Sequence, residues 1–226
     1  MNQAFLKLIQ SGDTARIADA VESDPALVEY RDPLGVSALI WSIYTGQAMV
    51  RDFLRTKLLA RGVPLDLFEA AAVGDGGRLQ EIVRADSSAT NSFSGDGWTA
   101  LHLVAAFGTP SAAQVLIACG ARVDAVSKNA QRNQPLHAAL ALGRNRETIE
   151  LLLAHGADAD AVQVGGYTPI FSAATANRKD LAELLIQHGA NPHRKNDQGK
   201  TSADYARERG HTELGTWLDA LPVRTT

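Results

Sequence analysis

The sequence has little of what marks several large classes of protein. Among its 226 residues there is one cysteine, Cys119, so an internal disulfide framework is excluded and a reducing compartment, the cytoplasm, is expected. No apolar run reaches the roughly 18–20 residues that a membrane-spanning helix requires. The first residues also lack the basic start and apolar stretch of a secretory leader. We therefore expect no membrane partner.

Clustered positive charge is missing as well. The 22 Lys and Arg residues are outnumbered by 25 Asp and Glu residues, which gives a formal net charge of −3. Nucleic acids are bound by clustered basic surfaces, because their backbones are phosphates. The local group of His193, Arg194 and Lys195 is diluted by acidic residues that follow it, so we interpret it as a solvated face. The sequence therefore predicts no nucleic-acid partner.

Apolar residues and alanine are abundant. Apolar residues make up 45% of the chain, and alanine alone contributes 37 residues. This proportion is ordinary for a globular chain with a buried core. Alanine is the best helix former, and its small side chain lets helix backbones approach closely. The composition thus favours closely packed helices.

Short turns marked by glycine recur along the chain at a nearly constant spacing. The residues that mark them are Gly12, Gly46, Gly74, Gly108, Gly143, Asn177 and Gly210. Successive intervals are 34, 28, 34, 35, 34 and 33 residues. Glycine supplies the left-handed conformation that ends many helices, and asparagine tolerates the same conformation. We therefore expect each of these positions to separate two helices.

Two further series of residues have the same period. His155-Gly156-Ala157 and His188-Gly189-Ala190 each follow an apolar helical stretch. Tyr167-Thr168-Pro169-Ile170 precedes another helix, where Thr can cap the N-terminus and Pro at the first helical position lacks no needed donor. Each unit therefore reads as a turn, a short helix, a glycine turn, a longer helix and a second glycine turn.

This pattern, with about 33 residues in each unit, resembles the ankyrin repeat. The resemblance covers residues 4–221 and implies an all-α solenoid of about seven helix-turn-helix units with short hairpin fingers. We expect one stand-alone domain over residues 1–226, with units at 2–31, 32–63, 64–93, 94–128, 129–161, 162–194 and 195–221. The segment Asp24-Pro25-Ala26-Leu27-Val28 between helices looks more bacterial than metazoan.

The joint between the second and third units is irregular. The interval between Gly46 and Gly74 is the short one, and residues 62–68 lead almost directly from one helix to the next. We expect a tight turn without a finger there, after a helix about four residues longer than its counterparts. Residues 4–46 also realign on residues 66–108 at an offset of 62, which indicates a duplicated two-unit module.

The residues that could bind a metal, catalyse a reaction or bind phosphate have structural explanations in the repeat pattern. His102 and His137 share one repeat position, so we expect no metal site. Cys119 ends a helix and has no evident base to activate its thiol. The segment Gly74-Asp75-Gly76-Gly77 follows a helix rather than a strand, so it is interpreted as an inter-helix turn and not as a phosphate loop. We therefore expect no enzyme activity and no cofactor.

In the family that the chain resembles, the finger tips and the exposed face of the first helices form a concave surface that binds partners. Several of the corresponding positions here carry aromatic or apolar side chains, which are favoured as binding anchors. The candidate protein-binding residues are Tyr44, Trp98, Phe107, Asn133, Leu142 and Tyr167. Trp98 and Tyr167 are expected at equivalent finger positions, with the polar Asn133 between them. Tyr44 and Phe107 are expected to form the floor of the same groove.

The sequence therefore predicts a non-catalytic protein–protein interaction module that binds an unidentified protein on its concave face, as a monomer. An alternative places a small-ligand site or an active site at the irregular joint, near residues 60–78. Asp66, Glu69 and Asp75 lie there without an evident partner. Such a site requires a deep pocket with convergent polar groups, whereas a shallow open groove favours protein binding.

Overall fold

The computed structural model describes residues 2–143 and 145–222. Over these ranges fourteen α-helices follow one another as seven consecutive pairs, so the expected all-α repeat architecture is confirmed. The α-helices are α1 (Asn2–Ser11), α2 (Thr14–Ser23), α3 (Ala38–Tyr44), α4 (Ala48–Ala60), α5 (Leu67–Val73), α6 (Gly76–Ala85), α7 (Ala100–Phe107), α8 (Pro110–Ala118), α9 (Pro135–Ala138), α10 (Arg146–Ala154), α11 (Pro169–Thr175), α12 (Lys179–Gln187), α13 (Ser202–Glu208) and α14 (Thr212–Asp219). Two 3₁₀ helices, Pro25–Glu29 and Ser87–Asn91, and a π-helix, Ala139–Gly143, lie between them. No helix in the described ranges has the length and apolar character needed to cross a membrane.

Local sequence signals start and end these helices. Gly74 has a φ of 74° and Asn177 a φ of 54°, so the left-handed turns predicted at these two positions are confirmed. At the start of α5, the Asp66 side chain accepts a hydrogen bond from the Glu69 amide at 2.8 Å. The Glu69 side chain accepts one from the Asp66 amide at 3.0 Å. This reciprocal cap satisfies amide groups that the first turn of a helix leaves without a partner.

Gly108 is needed for a different reason from the one expected. Its φ is −83°, outside the left-handed region. A Cβ atom at this position would lie 2.9 Å from the Ala71 carbonyl oxygen and 2.9 Å from the Val104 Cα. Glycine therefore allows α5 and α7 to approach each other closely, and the prediction of a left-handed turn at Gly108 is wrong.

The odd-numbered helices form a continuous row in which each packs against the next, from α1 to α13. One buried apolar cluster runs from Phe5 to Leu58, and a second runs from Val36 to Leu218. Four leucines at apolar positions of the repeats are at most 1% exposed, and they are Leu101, Leu136, Leu152 and Leu185. The units are thus held together by apolar contacts with their neighbours.

The fingers show both the duplication and its interruption. Isolated antiparallel bridges join Arg31 to Ser37, Phe93 to Thr99 and Gln163 to Tyr167. The first two bridges are offset by 62 residues, and so are the two 3₁₀ helices, as a duplicated module requires. Between α4 and α5, the described residues 61–66 form a turn without a bridge. Helix α4 has 13 residues where α8, α10 and α12 each have 9, so the predicted fingerless joint is confirmed.

The fifth pair departs from the regular pattern. Helix α9 contains 4 α-helical residues, and the π-helix Ala139–Gly143 continues it. In the preceding finger, Arg132 has a φ of 48°, so it takes the left-handed conformation that glycine usually supplies in these fingers. Single π-helical turns are rare and often lie beside functional sites. Here the π-helix contains Leu142, one of the predicted binding residues.

Candidate functional site

Three aromatic rings from two different units meet at one place. The centroid of the Tyr44 ring lies 6.2 Å from that of Trp98 and 5.6 Å from that of Phe107. Trp98 and Phe107 are stacked with their centroids 6.2 Å apart. Tyr44 is the last residue of α3, Phe107 is the last residue of α7, and Trp98 comes just before the cap of α7. Aromatic pairs at these separations attract each other beyond the effect of their burial.

The missing finger of the third unit explains why the second and fourth units touch. A Cβ atom on Gly95, in the finger of the fourth unit, would collide with the Leu34 carbonyl oxygen in the finger of the second. The Tyr44 hydroxyl crosses the same boundary and donates a hydrogen bond of 2.6 Å to the Asp96 carboxylate. The irregular joint thus builds this part of the surface by leaving its two neighbours in contact.

These residues line an open groove of about 310 Å³. The lining residues are Tyr44, Asp96, Trp98, Phe107, Asn129 and Leu142, and we call this surface the Trp98 groove. Leu142 contributes from the π-helix with 53% of its surface exposed. Four of the six predicted protein-binding residues therefore share one surface.

Asp96 supplies the charge of the Trp98 groove. Its two carboxylate oxygens accept hydrogen bonds from the hydroxyls of Tyr44 and Ser94. Burial first, and this carboxylate second, raise the pKa of Tyr44 well above its ordinary value, so the phenol remains a hydrogen-bond donor. Nearby, Asp32 accepts a hydrogen bond of 3.0 Å from the Trp41 indole N–H. In the parts of the chain that the structure describes, no ion pair involves Asp96 or Asp32.

Tyr167 belongs to a second aromatic cluster. Its ring contacts Phe171 and Tyr205 edge to face, at centroid distances of 5.4 and 5.6 Å. The hydroxyls of Tyr167 and Tyr205 are 2.6 Å apart. These three rings line a separate open depression of about 230 Å³. The structure therefore places Trp98 and Tyr167 in two grooves rather than on the flanks of one.

Asn133 is not the exposed polar tip that the repeat pattern suggests, because only 8% of its surface is exposed. Its backbone N–H donates a hydrogen bond of 3.0 Å to the Ser127 hydroxyl, and its backbone carbonyl accepts one of 2.8 Å from the Ser127 backbone N–H. The same carbonyl lies 3.1 Å from Nε2 of His102. Asn133 thus closes the finger of the fifth unit and fastens it to α7, and its side chain is covered as a result.

His102 shows what the repeated histidine does. Its Nδ1 lies 2.8 Å from the Thr99 hydroxyl, and its Nε2 faces the Asn133 carbonyl, which can only accept. We therefore assign the neutral ring a proton on Nε2. Burial lowers the pKa of His102 to about 4, and burial also lowers the pKa of His137. His102 thus connects its own unit to the next one.

The carboxylates at the irregular joint have structural partners, contrary to the expectation from the sequence. Arg31 forms ion pairs with Asp66 at 2.8 Å and with Glu69 at 3.3 Å, and Arg55 lies 3.7 Å from Asp75. Burial first, and Asp66 second, raise the pKa of Glu69, whose oxygens are bound to Arg31 and to the Asp66 amide. The arrangement is a helix cap with its counterion. Among the described residues, no group of three or more His, Cys, Asp and Glu side chains could hold a metal ion.

Comparison with known proteins agrees with this architecture. Residues 67–163 and 143–219 match the family model for ankyrin repeats in three copies. The chain belongs to the ankyrin-repeat family. Ankyrin repeats are protein–protein interaction modules, and as a family they are generally not catalytic.

Three relatives illustrate the range of ankyrin-repeat proteins that the chain resembles. The B-cell lymphoma 3 protein homolog of mouse is 33% identical over 153 residues, which cover 66% of this chain and 33% of the relative. The nuclear factor NF-kappa-B p105 subunit of chicken is 32% identical over 181 residues, which cover 75% of this chain and 18% of the relative. The ARF GTPase-activating protein GIT2 of mouse is 41% identical over 95 residues, which cover 42% of this chain and 13% of the relative. The chain spans a third or less of the length of each, and these animal relatives do not support a bacterial origin.

Some residues of the two grooves are absent from the predicted set. Asp96 and Asn129 line the Trp98 groove, and Phe171 and Tyr205 line the depression beside Tyr167. Asp96 precedes Trp98 by two residues in the same finger, so an alternating pattern could have identified it. Phe171 occupies the repeat position that His102 holds in its own unit, and such an exchange is visible in the sequence. Nothing in the sequence pattern points to Asn129.

Proposed function

We propose that this ankyrin-repeat domain binds a protein partner through the Trp98 groove. The single observation that carries the proposal is the exposure of Leu142 beside three packed aromatic rings in an open groove. Contiguous exposed apolar surface marks interaction sites, and aromatic residues carry much of the binding energy at interfaces. Tyr44, Trp98 and Phe107 hold one another in place, so the partner meets a preformed surface and little ordering is lost on binding.

The depression beside Tyr167 is proposed as an extension of the same interface. Tyr167, Phe171 and Tyr205 hold one another in place as the rings of the Trp98 groove do. Both surfaces lie along the row of first helices, at the fingers. A partner that lies along the row therefore contacts both. Asn133, which is buried, is left out of this interface, and its backbone carbonyl faces His102, whose ring contacts Trp98.

We further propose that residues 1–226 act as one domain with the seven unit boundaries given above. In this proposal the domain works as a monomer in the cytoplasm, without catalysis or a cofactor, and its partner is neither a nucleic acid nor a membrane. The capped and ion-paired carboxylates near residues 60–78 support the non-catalytic role, because they are held by Arg31 and by the helix they cap.

Two exposed leucines allow a matched test of the proposal. Leu142 lies in the Trp98 groove and is 53% exposed, whereas Leu59 lies on α4, outside this groove, and is 79% exposed. Both can accept a charge without burying it. We expect Leu142→Asp to weaken capture of the partner from the native organism at least about tenfold. Leu59→Asp should capture it as the unaltered chain does.

Circular dichroism and thermal unfolding of both variants show that the fold is kept. Proteins retained by the unaltered chain and by Leu59→Asp, and lost from Leu142→Asp, support binding at the groove. Equal capture by Leu142→Asp would place the binding surface elsewhere on the domain.

A further inference from the structure

The Trp98 groove combines aromatic faces, an aliphatic side chain and one carboxylate. Tyr44, Trp98 and Phe107 form the aromatic part, Leu142 the aliphatic part, and Asp96 is the single side chain of the lining set that is charged at neutral pH. The rings carry negative potential over their faces, which attracts cations. A carboxylate beside such rings adds to this attraction, so the groove is complementary to a positive charge.

The hydrogen bonds of Asp96 leave its charge in place. Both donors, the hydroxyls of Tyr44 and Ser94, are neutral, and no described cation pairs with this carboxylate. Two basic residues of the neighbouring fingers, Arg31 and Lys128, are engaged with other groups. Arg31 is bound to Asp66 and Glu69, and the Lys128 ammonium sits 4.2 Å from the centroid of the Phe93 ring.

A second carboxylate strengthens the negative potential of this region. Asp32, like Asp96, raises the pKa of Tyr44 through its charge. One of its oxygens accepts a hydrogen bond of 3.0 Å from the Trp41 indole N–H, and the other accepts bonds of 2.9 Å from the backbone amides of Leu34 and Val36, so all its donors are neutral. An acidic side chain of a partner would therefore meet one negative charge in the groove and a second one near Tyr44, and like charges brought together at an interface disfavour binding.

The chemistry of the groove favours arginine over lysine. Arginine carries a planar guanidinium that stacks on aromatic faces and donates hydrogen bonds to a carboxylate in the same plane, and it is less strongly hydrated than the lysine ammonium. A guanidinium that stacks on one of the rings of the groove keeps its N–H groups available for the Asp96 carboxylate. The exposed Leu142 then offers contact to an apolar residue next to that arginine.

We propose that the Trp98 groove takes an arginine side chain of the partner, presented on a segment with an apolar residue beside it. This inference rests on the proposed function, since it names the chemistry of the partner that the same groove binds. Binding of an arginine depends on the Asp96 carboxylate. Docking of an apolar surface, which the proposed function requires, depends on Leu142 and the aromatic rings.

The probe is a pair of short blocked peptides, acetyl-Gly-Leu-Arg-Leu-Gly-amide and the same peptide with citrulline in place of arginine. Citrulline keeps the size and planarity of arginine and loses its charge. We titrate each into ¹⁵N-labelled protein and follow the indole N–H signal of Trp98. The arginine peptide should shift this signal saturably and bind at least about tenfold more tightly than the citrulline peptide.

Asp96→Asn provides the matched variant, because an amide keeps the size of the side chain and its ability to hydrogen bond with the two hydroxyls. It should bind both peptides with the weaker, citrulline-like affinity. Asp52→Asn makes the same charge change on α4, where Asp52 is exposed and bound to Arg51. That variant should keep the preference for arginine.

Equal affinity for the two peptides, or an arginine preference that survives Asp96→Asn, would overturn the inference. Capture of the physiological partner separates this failure from a failure of the proposed function. If Leu142→Asp loses the partner while Asp96→Asn keeps it, the groove binds a partner and the arginine assignment is wrong. If Leu142→Asp keeps the partner, the groove itself is wrongly placed.

Discussion

The Tyr44 hydroxyl donates a hydrogen bond of 2.6 Å to the Asp96 carboxylate, although 52 residues separate the two in the chain. Tyr44 ends the first helix of the second unit, and Asp96 lies in the finger of the fourth. The bond is possible because the third unit has no finger between them. The groove that we propose as the binding surface therefore depends on an irregularity of the repeat.

Removal of this hydroxyl measures how firmly the second and fourth units are joined. Tyr44→Phe keeps the ring contacts with Trp98 and Phe107 but takes a donor from a carboxylate, and hydrogen bonds to charged groups contribute about 1.5–3 kcal/mol. We expect the free energy of unfolding in urea to fall by about 1–2 kcal/mol, because the bond is only partly buried. Tyr30→Phe is the control, since no hydrogen bond of the Tyr30 hydroxyl is described, and it should change stability by less than about 0.5 kcal/mol. Equal effects of the two changes would mean that the hydrogen bond adds nothing.

Gly95 tests the contact between the two fingers directly. Gly95→Ala places a Cβ against the backbone carbonyl of Leu34, which cannot move aside as a flexible side chain would. We expect a loss of about 1–3 kcal/mol in thermal or urea unfolding, as for other overpacked sites. Gly77→Ala, in α6, meets only the Asp75 carboxylate at 3.6 Å and should not destabilise the domain. A neutral Gly95→Ala would show that the two fingers are not in contact in solution.

Stability should fall in mild acid because of the buried histidines His102 and His137, and the size of the effect can be worked out for His102. The pKa of His102 is lowered from 6.5 to about 4 by burial, so the unfolded chain binds a proton in a pH range where the folded chain does not. Above pH 6.5 the ring is neutral in both states and contributes no pH dependence. Between pH 6.5 and about 4 the free energy of unfolding should decrease, by on the order of 3 kcal/mol at the lower end.

Urea unfolding at several pH values checks this dependence. His102→Gln is the comparison, because glutamine at the same helix position can hydrogen bond to the cap and does not titrate. Its stability at neutral pH can differ, but the slope between pH 6.5 and 4 should be smaller than that of the unaltered chain. Identical slopes would show that His102 is not the group responsible.

Shortening the buried apolar side chains between units should destabilise the domain. Changing Leu101, Leu136, Leu152 or Leu185 to alanine should each cost about 2–5 kcal/mol, since these side chains are fully buried. Each unit contacts its neighbours, so hydrogen exchange should show the damage concentrated near the changed unit. Leu59→Ala, at an exposed position, is the control. Losses below about 0.5 kcal/mol at all four buried positions would contradict the description of the core.

Most of the fold could be predicted because the residues that begin and end each helix act through their own backbone conformation or on close neighbours in the sequence. Gly74 and Asn177 mark helix ends through their own backbone conformation, and the spacing from Gly46 to Gly74 shows the missing finger. Gly108 has the same spacing but a different role. Its need for glycine comes from the approach of Ala71 and Val104, which no local pattern reveals.

The candidate binding surface was harder to predict from the sequence, because its composition depends on which units contact each other. Equivalent repeat positions place Trp98 and Tyr167 alike in the sequence, yet Trp98 packs against Tyr44 across the fingerless joint, and Tyr167 packs against Tyr205. The same equivalence predicts an exposed Asn133. Its finger instead folds onto His102, an interaction between units that the spacing does not encode.

The central claim is that the partner lies against the Trp98 groove, and site-specific photo-crosslinking tests it most directly. A benzophenone amino acid is introduced in place of Leu142 in one protein and in place of Leu59 in another, since both positions are exposed. After illumination of each with the captured partner, mass spectrometry identifies the crosslinked peptides. The account predicts a covalent product from position 142 and none from position 59. A product from position 59 alone would contradict it.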